Sequence, residues 1–373
     1  MSKLDPDPRM NDPLRSRPSV AWIRDGMALF GWGESSRIDP GIGSDRFERA
    51  REALEAIPGS IGFATFTFDE DEPGSVVIVP ETVLEVRDGG GRMLTGEFDQ
   101  ISQAFADSAM PRGRVSVEDK DSWKSAMELA MQSIARGEVE KVVLSRTVEM
   151  VFDGDVPIQQ VARALVDSQG SSHTFLIDDL VGSSPELLVS KHGAAVRSVS
   201  LAGSADRTDP AASASLRSQK MAVEHSLAAD SVEEALSPFC TRLERQPSRV
   251  ETFADIHHLA TTFEGEAVNG VPVTDLVAAL HPTAAVAGTP TKAAVELIRE
   301  IEGHGRGRYA GPVGWLDAHG DGEFAIALRC GEIKGRRVTL YTGVGLVEGS
   351  DPEAELEETR IKLRPMFRAL GVS

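Results

Sequence analysis

The chain has 373 residues, 41% hydrophobic and 26% charged, with 58 acidic side chains against 39 lysines and arginines and a net charge of −19. The composition is globular, and a charge of this sign excludes a nucleic-acid partner or an anionic membrane surface, while any anionic substrate must find local cations. Two cysteines, Cys240 and Cys330, are too few for a disulfide framework or a cysteine zinc site; no apolar run spans a bilayer or forms a leader, so the cytoplasm is the expected compartment.

Residues 1–18 are polar and proline-rich and are expected to form a disordered tail. Between 19 and 114 the pattern predicts strands at 61–68 and 75–79 and a helix at 44–56, without nameable chemistry. A helix follows over 119–136, with Trp123, Met127, Ala130 and Ile134 along one side. After a turn at Gly137 comes Lys141-Val142-Val143-Leu144-Ser145-Arg146, an apolar strand opened by a lysine. Lys141 reads as an ordinary strand-end charge, or as a partly buried lysine able to shed its charge and accept a proton.

Gly182-Ser183-Ser184-Pro185-Glu186-Leu187-Leu188 sets a glutamate between a proline turn and an apolar run. Facing water, Glu186 is a turn carboxylate; half-buried, its pKa rises toward that of a general acid. Leu201-Ala202-Gly203-Ser204 is a turn of small residues whose free N–H groups can line a pocket. A helix over 218–235 carries Glu224-His225, and His258-Leu259-Ala260-Thr261 reads as a strand with His258 either in the core or toward a ligand.

The densest chemistry runs from Leu280 to Lys362, opening with His281-Pro282-Thr283 and Arg308-Tyr309-Ala310-Gly311. Over 323–330 the side chains alternate, with Phe324, Ile326, Leu328 and Cys330 on a core face and Glu323, Ala325, Ala327 and Arg329 opposite. The second face, hollowed by alanines and bearing a guanidinium, suits a carboxylate; equally, the segment reads as a hairpin with a solvated arginine. Gly343 and Gly345 share one face of a strand over 340–347, where glycine marks close approach by a ligand or another backbone. Asp317, Asp321 and Glu323 lack EF-hand spacing and read as a hairpin turn.

Ser350-Asp351-Pro352-Glu353 starts a final helix with Ser350 as its cap. Leu356, Leu363 and Phe367 form its apolar stripe, and Pro365 is expected to end or kink it. Glu355, Glu358 and Lys362 share one face. The two carboxylates suit a hard divalent cation, or form a solvated face with a Glu358–Lys362 pair.

The ordered series His281-Pro282-Thr283, Arg308-x-Ala310-Gly311, Gly320-Asp321-Gly322-Glu323, Leu328-Arg329-Cys330, Gly343-Val344-Gly345 and Glu355-x-x-Glu358-Thr359-x-x-Lys362 resembles the chorismate-utilising enzymes. That family includes isochorismate, salicylate, anthranilate and aminodeoxychorismate synthases, and the likeness covers residues 115–370. It implies one catalytic domain over 19–373, in which 19–114 is a variable part. The implied fold is α/β (α+β), with large, mostly antiparallel sheets flanked by helices and an active site in the central cleft. The implied substrate is chorismate and the implied cofactor Mg2+. By the same resemblance Lys141 is the general base and Glu186 the general acid, while Glu224 and Glu358 hold magnesium with Glu355 close by. Gly203, Ser204, His258, Ala285, Tyr309, Arg329, Gly343, Gly345 and Lys362 are then the substrate-binding residues.

Position 285 separates the activities within the family. Salicylate synthases and the ammonia-using members typically carry threonine there, and isochorismate synthases alanine. Ala285 therefore implies an isochorismate synthase, an isomerase that adds water at C2 while the C4 hydroxyl leaves. Such an enzyme needs no glutaminase subunit and is expected to be a monomer. Salicylate synthase, which also eliminates pyruvate, is the second reading. A chorismate-binding relative with impaired catalysis is the third, because the chain departs from the family pattern at Met221, where an acid is usual, and at Ala284, where proline is usual. Whether the product feeds menaquinone, a catechol siderophore or salicylate stays open.

Overall fold

Strands such as Ile61–Thr65 and Val76–Val79 are buried along their whole length, so they need a layer on each face. The computed structural model describes residues 12–87, 90–101, 108–118, 120–207, 219–253 and 256–372, with backbone alone at 120–121, 202, 204–206 and 219–224. Among the described residues the strands form an 11-stranded and a 10-stranded sheet, paired antiparallel throughout. The first sheet runs Gly288–Thr289, Lys141–Phe152, Arg337–Val347, Cys330–Lys334, Leu180–Ser184, His173–Ile177, Val20–Arg24, Met27–Trp32, Thr82–Arg87 and Gly90–Thr95, with Gly113–Glu118 also on Lys141–Phe152. The second runs Cys240–Arg245, Ile256–Ala267, Ala195–Asp206, Leu187–His192, Gly322–Ile326, Pro312–Asp317, Ile61–Thr65, Val76–Val79 and Ser36–Ile38, with Arg249–Thr252 on Ile256–Ala267. This is the mixed, mostly antiparallel architecture that the motifs imply.

Strand parity divides the core. Val20 and Trp22 face a cluster shared with Phe63, Val77 and Phe324 of the second sheet. Ala21, between them, faces a separate cluster with Leu165 and Leu363, from helices Ile158–Gln169 and Pro352–Ala369. Helices Arg46–Glu55, Gln219–Leu236 and Val273–Leu280 pack on strands of the second sheet.

Four expectations need correction. The tail is not disordered throughout: Pro13–Ser16 forms a 3-10 turn, Leu14 is buried, and Trp32 Nε1 donates to Ser16 O at 3.0 Å; residues 1–11 lie outside the described ones. The final helix is capped by Asp351, which accepts from Ala354 N, whereas Ser350 Oγ accepts from Val347 N. That helix also runs on through Pro365, because Leu363, Met366 and Ala369 bury the turn around it and offset the missing amide.

The largest correction concerns 323–330. This is not one alternating strand. Gly322–Ile326 belongs to the second sheet and Cys330–Lys334 to the first, with Ala327–Arg329 crossing between them. Residues 185–186 make the opposite crossing, from Leu180–Ser184 to Leu187–His192. The crossings lie side by side: Ile326 N donates to Glu186 O at 3.1 Å and Ser183 N to Arg329 O at 3.2 Å. Arg329 makes its turn in the left-handed region, with φ 49°.

Glu323 accordingly serves no binding wall shared with Arg329. It is 2% exposed and accepts from Trp22 Nε1 (3.0 Å) and Arg24 Nε (2.9 Å) of the first sheet and from His192 Nε2 (2.9 Å) of its own. Burial alone pushes its pKa up, but the hydrogen bonds from His192, Arg24 and Trp22 prevail and hold it well below the carboxylate range. Glu323→Ala should lower stability by about 1–3 kcal/mol, because it strands the buried Trp22 Nε1 and removes the partner of the part-buried Arg24. A urea midpoint equal to wild type would refute this clamp. The stabilisation is present above the unfolded carboxylate pKa and is lost as pH falls toward the depressed folded value, so the gap between the two proteins should narrow in strong acid.

Candidate active site

Glu186 sits on one crossing, 5% exposed. Burial raises its pKa; the Leu201 amide and the charges of Arg329, Lys141 and Lys362 pull it back, leaving it at about 7. A carboxyl half-protonated near neutrality can deliver a proton there. The same balance shows that Lys141, Arg329 and Lys362, from three separate segments, converge on this group.

Lys141 opens its strand between Gly288–Thr289 and Arg337–Val347. Gly345 makes room for it, since a Cβ there would stand 2.9 Å from Lys141 Cε. At Gly343 a Cβ would stand 2.9 Å from the Tyr309 hydroxyl and 2.8 Å from Leu144 O. Both glycines are therefore places of close approach, made by site side chains and by the adjoining backbone.

Next to them lies a cavity of about 70 Å³ lined by Ala285, Arg306, Tyr309, Arg329, Gly343, Gly345 and Lys362, among others. It presents three cations and, among its described lining residues, no carboxylate. Of these, Arg306 is paired with Glu302 and Lys362 with Glu358, so Arg329 is the cation that an anionic substrate would meet in a chain of net charge −19. Tyr309 stacks on Tyr341 with ring centroids 5.5 Å apart, and burial pushes its hydroxyl above its usual range, so it remains a donor. Lys362 donates to Gly343 O at 2.9 Å and pairs with Glu358 at 2.8 Å.

His258 Nδ1 donates to Gly203 O at 3.0 Å, which leaves Nε2 to accept from Arg329 at 3.4 Å. Burial, with Arg329 and Lys362 adding to it, lowers its pKa to about 3, so the ring is neutral and can hold the guanidinium without repelling it. His258 is thus a buried histidine that also positions a site residue. The Ser204 side chain lies outside the described residues; its backbone pairs with His258 in the Ala195–Asp206 strand.

Glu355 and Glu358 lie one turn apart on helix Pro352–Ala369, both part-buried. The charge of Glu358 is felt at Arg329 and at His258, which puts it at the edge of the cavity. Glu224 and Met221 are on helix Gln219–Leu236, with side chains outside the described residues. Among the described residues no three His, Cys, Asp or Glu side chains gather into a metal-binding group.

Sequence reasoning missed Glu302 and Arg306. Arg306 donates to Val286 O (2.9 Å) and Val143 O (2.6 Å), tying the segment that carries Ala285 to the strand that carries Lys141. Glu302 faces it, with Arg306 Nε 2.9 Å away, and accepts from Ser145 N (2.6 Å) and Ser145 Oγ (2.9 Å). Neither side chain is more than 2% exposed. Two of their other partners, Ser145 and Val143, are 157 and 163 residues distant in the chain, beyond any periodicity signal.

Residues 92–371 match the family described as chorismate binding enzyme. The chain belongs to this family. The chorismate-binding fold extends to nearly the whole chain in a solved relative, DhbC from Bacillus anthracis: TM-score 0.85 and 29% identity over 98% of this chain and 100% of that one. The isochorismate synthase DhbC of Bacillus subtilis is 36% identical over 349 residues, covering 88% of this chain and 85% of that protein. The isochorismate synthase MenF of Bacillus subtilis is 37% identical over 303 residues, 78% of this chain but 63% of the relative's own length.

The buried carboxyl of this chorismate-binding protein has a measurable signature. Raising the Glu186 pKa from 4.5 to about 7 costs on the order of 3 kcal/mol once the group ionises. The folded state holds the proton more tightly, so stability should fall as pH rises from about 4.5 to 7 and then level off. Glu186→Gln should match wild type below this window and exceed it above. Parallel stability curves for the two proteins would show that the carboxyl is not perturbed.

Proposed function

We propose that the protein is an isochorismate synthase, converting chorismate to isochorismate. One observation carries the reading: a base candidate, Lys141, and a poised acid, Glu186, meet beside a small cationic cavity that includes Ala285. The names of the relatives support it, as does alanine at position 285.

Arg329 and the Tyr309 hydroxyl grip the enolpyruvyl carboxylate of chorismate, with Lys362 adding positive charge. Lys141 takes a proton from the water that attacks C2. Glu186 gives its proton to the C4 hydroxyl, which leaves as water. Gly343 and Gly345 leave room for the Tyr309 hydroxyl and the Lys141 side chain to reach the site. The carboxylates of the part-buried Glu355 and Glu358, the second close enough for its charge to act on Arg329, are the donor chemistry that magnesium prefers, and Glu224 would complete the set. Bound there, magnesium supplies charge stabilisation for the ring carboxylate. The reading makes the protein a monomeric enzyme of the cytoplasm that needs no glutaminase; no helix among the described residues is long and apolar enough to cross a membrane.

Purified protein with chorismate and magnesium should yield isochorismate, resolved by chromatography, and EDTA should abolish turnover. Salicylate with pyruvate would instead support the second activity, and no product at any magnesium concentration would sink both. Lys141→Ala should lose at least about 100-fold in kcat, since one acid–base group contributes roughly 10²–10⁴; retention of a tenth of the rate would remove Lys141 as the base. In wild type, kcat should decline as pH rises through about 7, the value at which Glu186 loses its proton.

A further inference from the structure

The proposed reaction leaves a proton imbalance inside the site. Each turnover gives Lys141 one proton from the attacking water and takes one from Glu186 for the departing hydroxyl. The substrate's charge is unchanged, but the enzyme ends with cationic Lys141 and anionic Glu186. Resetting needs one proton released to solvent by the lysine and one gained by the glutamate. With chorismate or its product filling the front cavity, Glu186 needs another source.

Behind Glu186 lies a chamber of about 10 Å³, room for a single water, with Glu186, Thr283, Ala285 and Val232 in its walls. Ala285 also lines the front cavity. Thr283 and Val232 also line an open cleft of about 530 Å³, whose rim carries the exposed side chains Lys292 and Glu296. Front cavity, chamber and cleft thus lie in series, with Ala285 between the first two and Thr283 and Val232 between the last two.

Thr283 stands where chamber and cleft meet. It is 8% exposed, and its Oγ1 is buried without a hydrogen-bond partner among the described residues. In the cleft wall beside it, His281 Nε2 donates to Phe68 O at 2.9 Å, and His281 Nδ1 is left buried without a hydrogen-bond partner among the described residues. A stranded polar atom of this kind is costly unless water satisfies it.

Resting on the isochorismate reading, we infer that the cleft and chamber form a rear water path that returns a proton to Glu186, with Thr283 as the positioning residue that holds the chamber water. The proton moves from bulk water to the chamber water and on to the Glu186 carboxylate, and the threonine hydroxyl both accepts and donates along the way.

The test is kcat and KM for wild type, Thr283→Ser, Thr283→Ala and Thr283→Val, with chorismate and magnesium, in H2O and D2O. Serine keeps the hydroxyl, and alanine leaves space for a second water. Valine keeps the volume but blocks the path with a methyl group. The expected kcat order is Ser, then Ala within about threefold of wild type, then Val down at least about tenfold. KM should stay within about twofold, and the D2O effect on kcat should grow in Thr283→Val. A packing role predicts the reverse, with the isosteric valine best and alanine worst, and that order overturns the path; so does Thr283→Val at wild-type kcat. If Thr283→Val does not fold, Thr283→Ala decides: a loss of tenfold or more overturns the path, and near-normal turnover supports it. A wild type that makes no isochorismate overturns the reaction and the path together, whereas an active wild type with the packing order overturns the path alone.

Discussion

The site depends on two lengths of chain that cross between the sheets side by side. At 185–186 the chain leaves the first sheet for the second, and at 327–329 it returns. The hydrogen bonds Ile326 N to Glu186 O and Ser183 N to Arg329 O fix the crossings against each other. Because a crossing belongs to neither sheet, its side chains are freed from strand parity, and Glu186 lies within the influence of Arg329 on the other crossing and of Lys141 on the first sheet. The Arg306–Glu302 pair then locks the Ala285 segment onto the Lys141 strand. Glu186, Lys141 and Arg329 come from distant segments, and the short connections that carry Glu186 and Arg329 are fixed to each other by backbone hydrogen bonds.

Two buried glutamates illustrate how surroundings decide charge. Glu323 is given three donor side chains and stays ionised as an inter-sheet clamp. Glu186, as deeply buried, keeps one amide and three more distant cations, too little to offset desolvation, and so retains its proton near neutrality. The first arrangement gives stability. The second gives up stability to keep a proton available, a cost that functional sites commonly carry.

Local signals made much of this legible. Helices at 46–55 and 120–135, the strand opened by Lys141 and the burial of Glu186 all follow from short-range pattern. The alternation over 323–330 misled, because an apolar run crossing from one sheet to another looks like one continuous strand. Pro365 and Ser350 misled for the opposite reason: local rules were overridden by packing around Leu363 and Met366 and by the better-placed carboxylate of Asp351. Arg306 and Glu302 read locally as an ordinary i,i+4 pair, since nothing nearby in the chain marks their bonds to Val143 and Ser145, over 150 positions away.

The interleaving of the strands bears on where this protein can be cut. The family match begins at residue 92, but Val20–Arg24 lies inside the first sheet, hydrogen-bonded to His173–Ile177, and Ile61–Thr65 lies inside the second, against Pro312–Asp317. A fragment that starts at the match would bare two apolar strands as raw sheet edges, the kind of surface on which chains pair with one another and aggregate. It would also lose Trp22 and Arg24, which neutralise Glu323. The recognisable stretch of sequence and the smallest piece that keeps both sheets whole are therefore different things, because strands Val20–Arg24 and Ile61–Thr65 cover the edges that the stretch would leave bare.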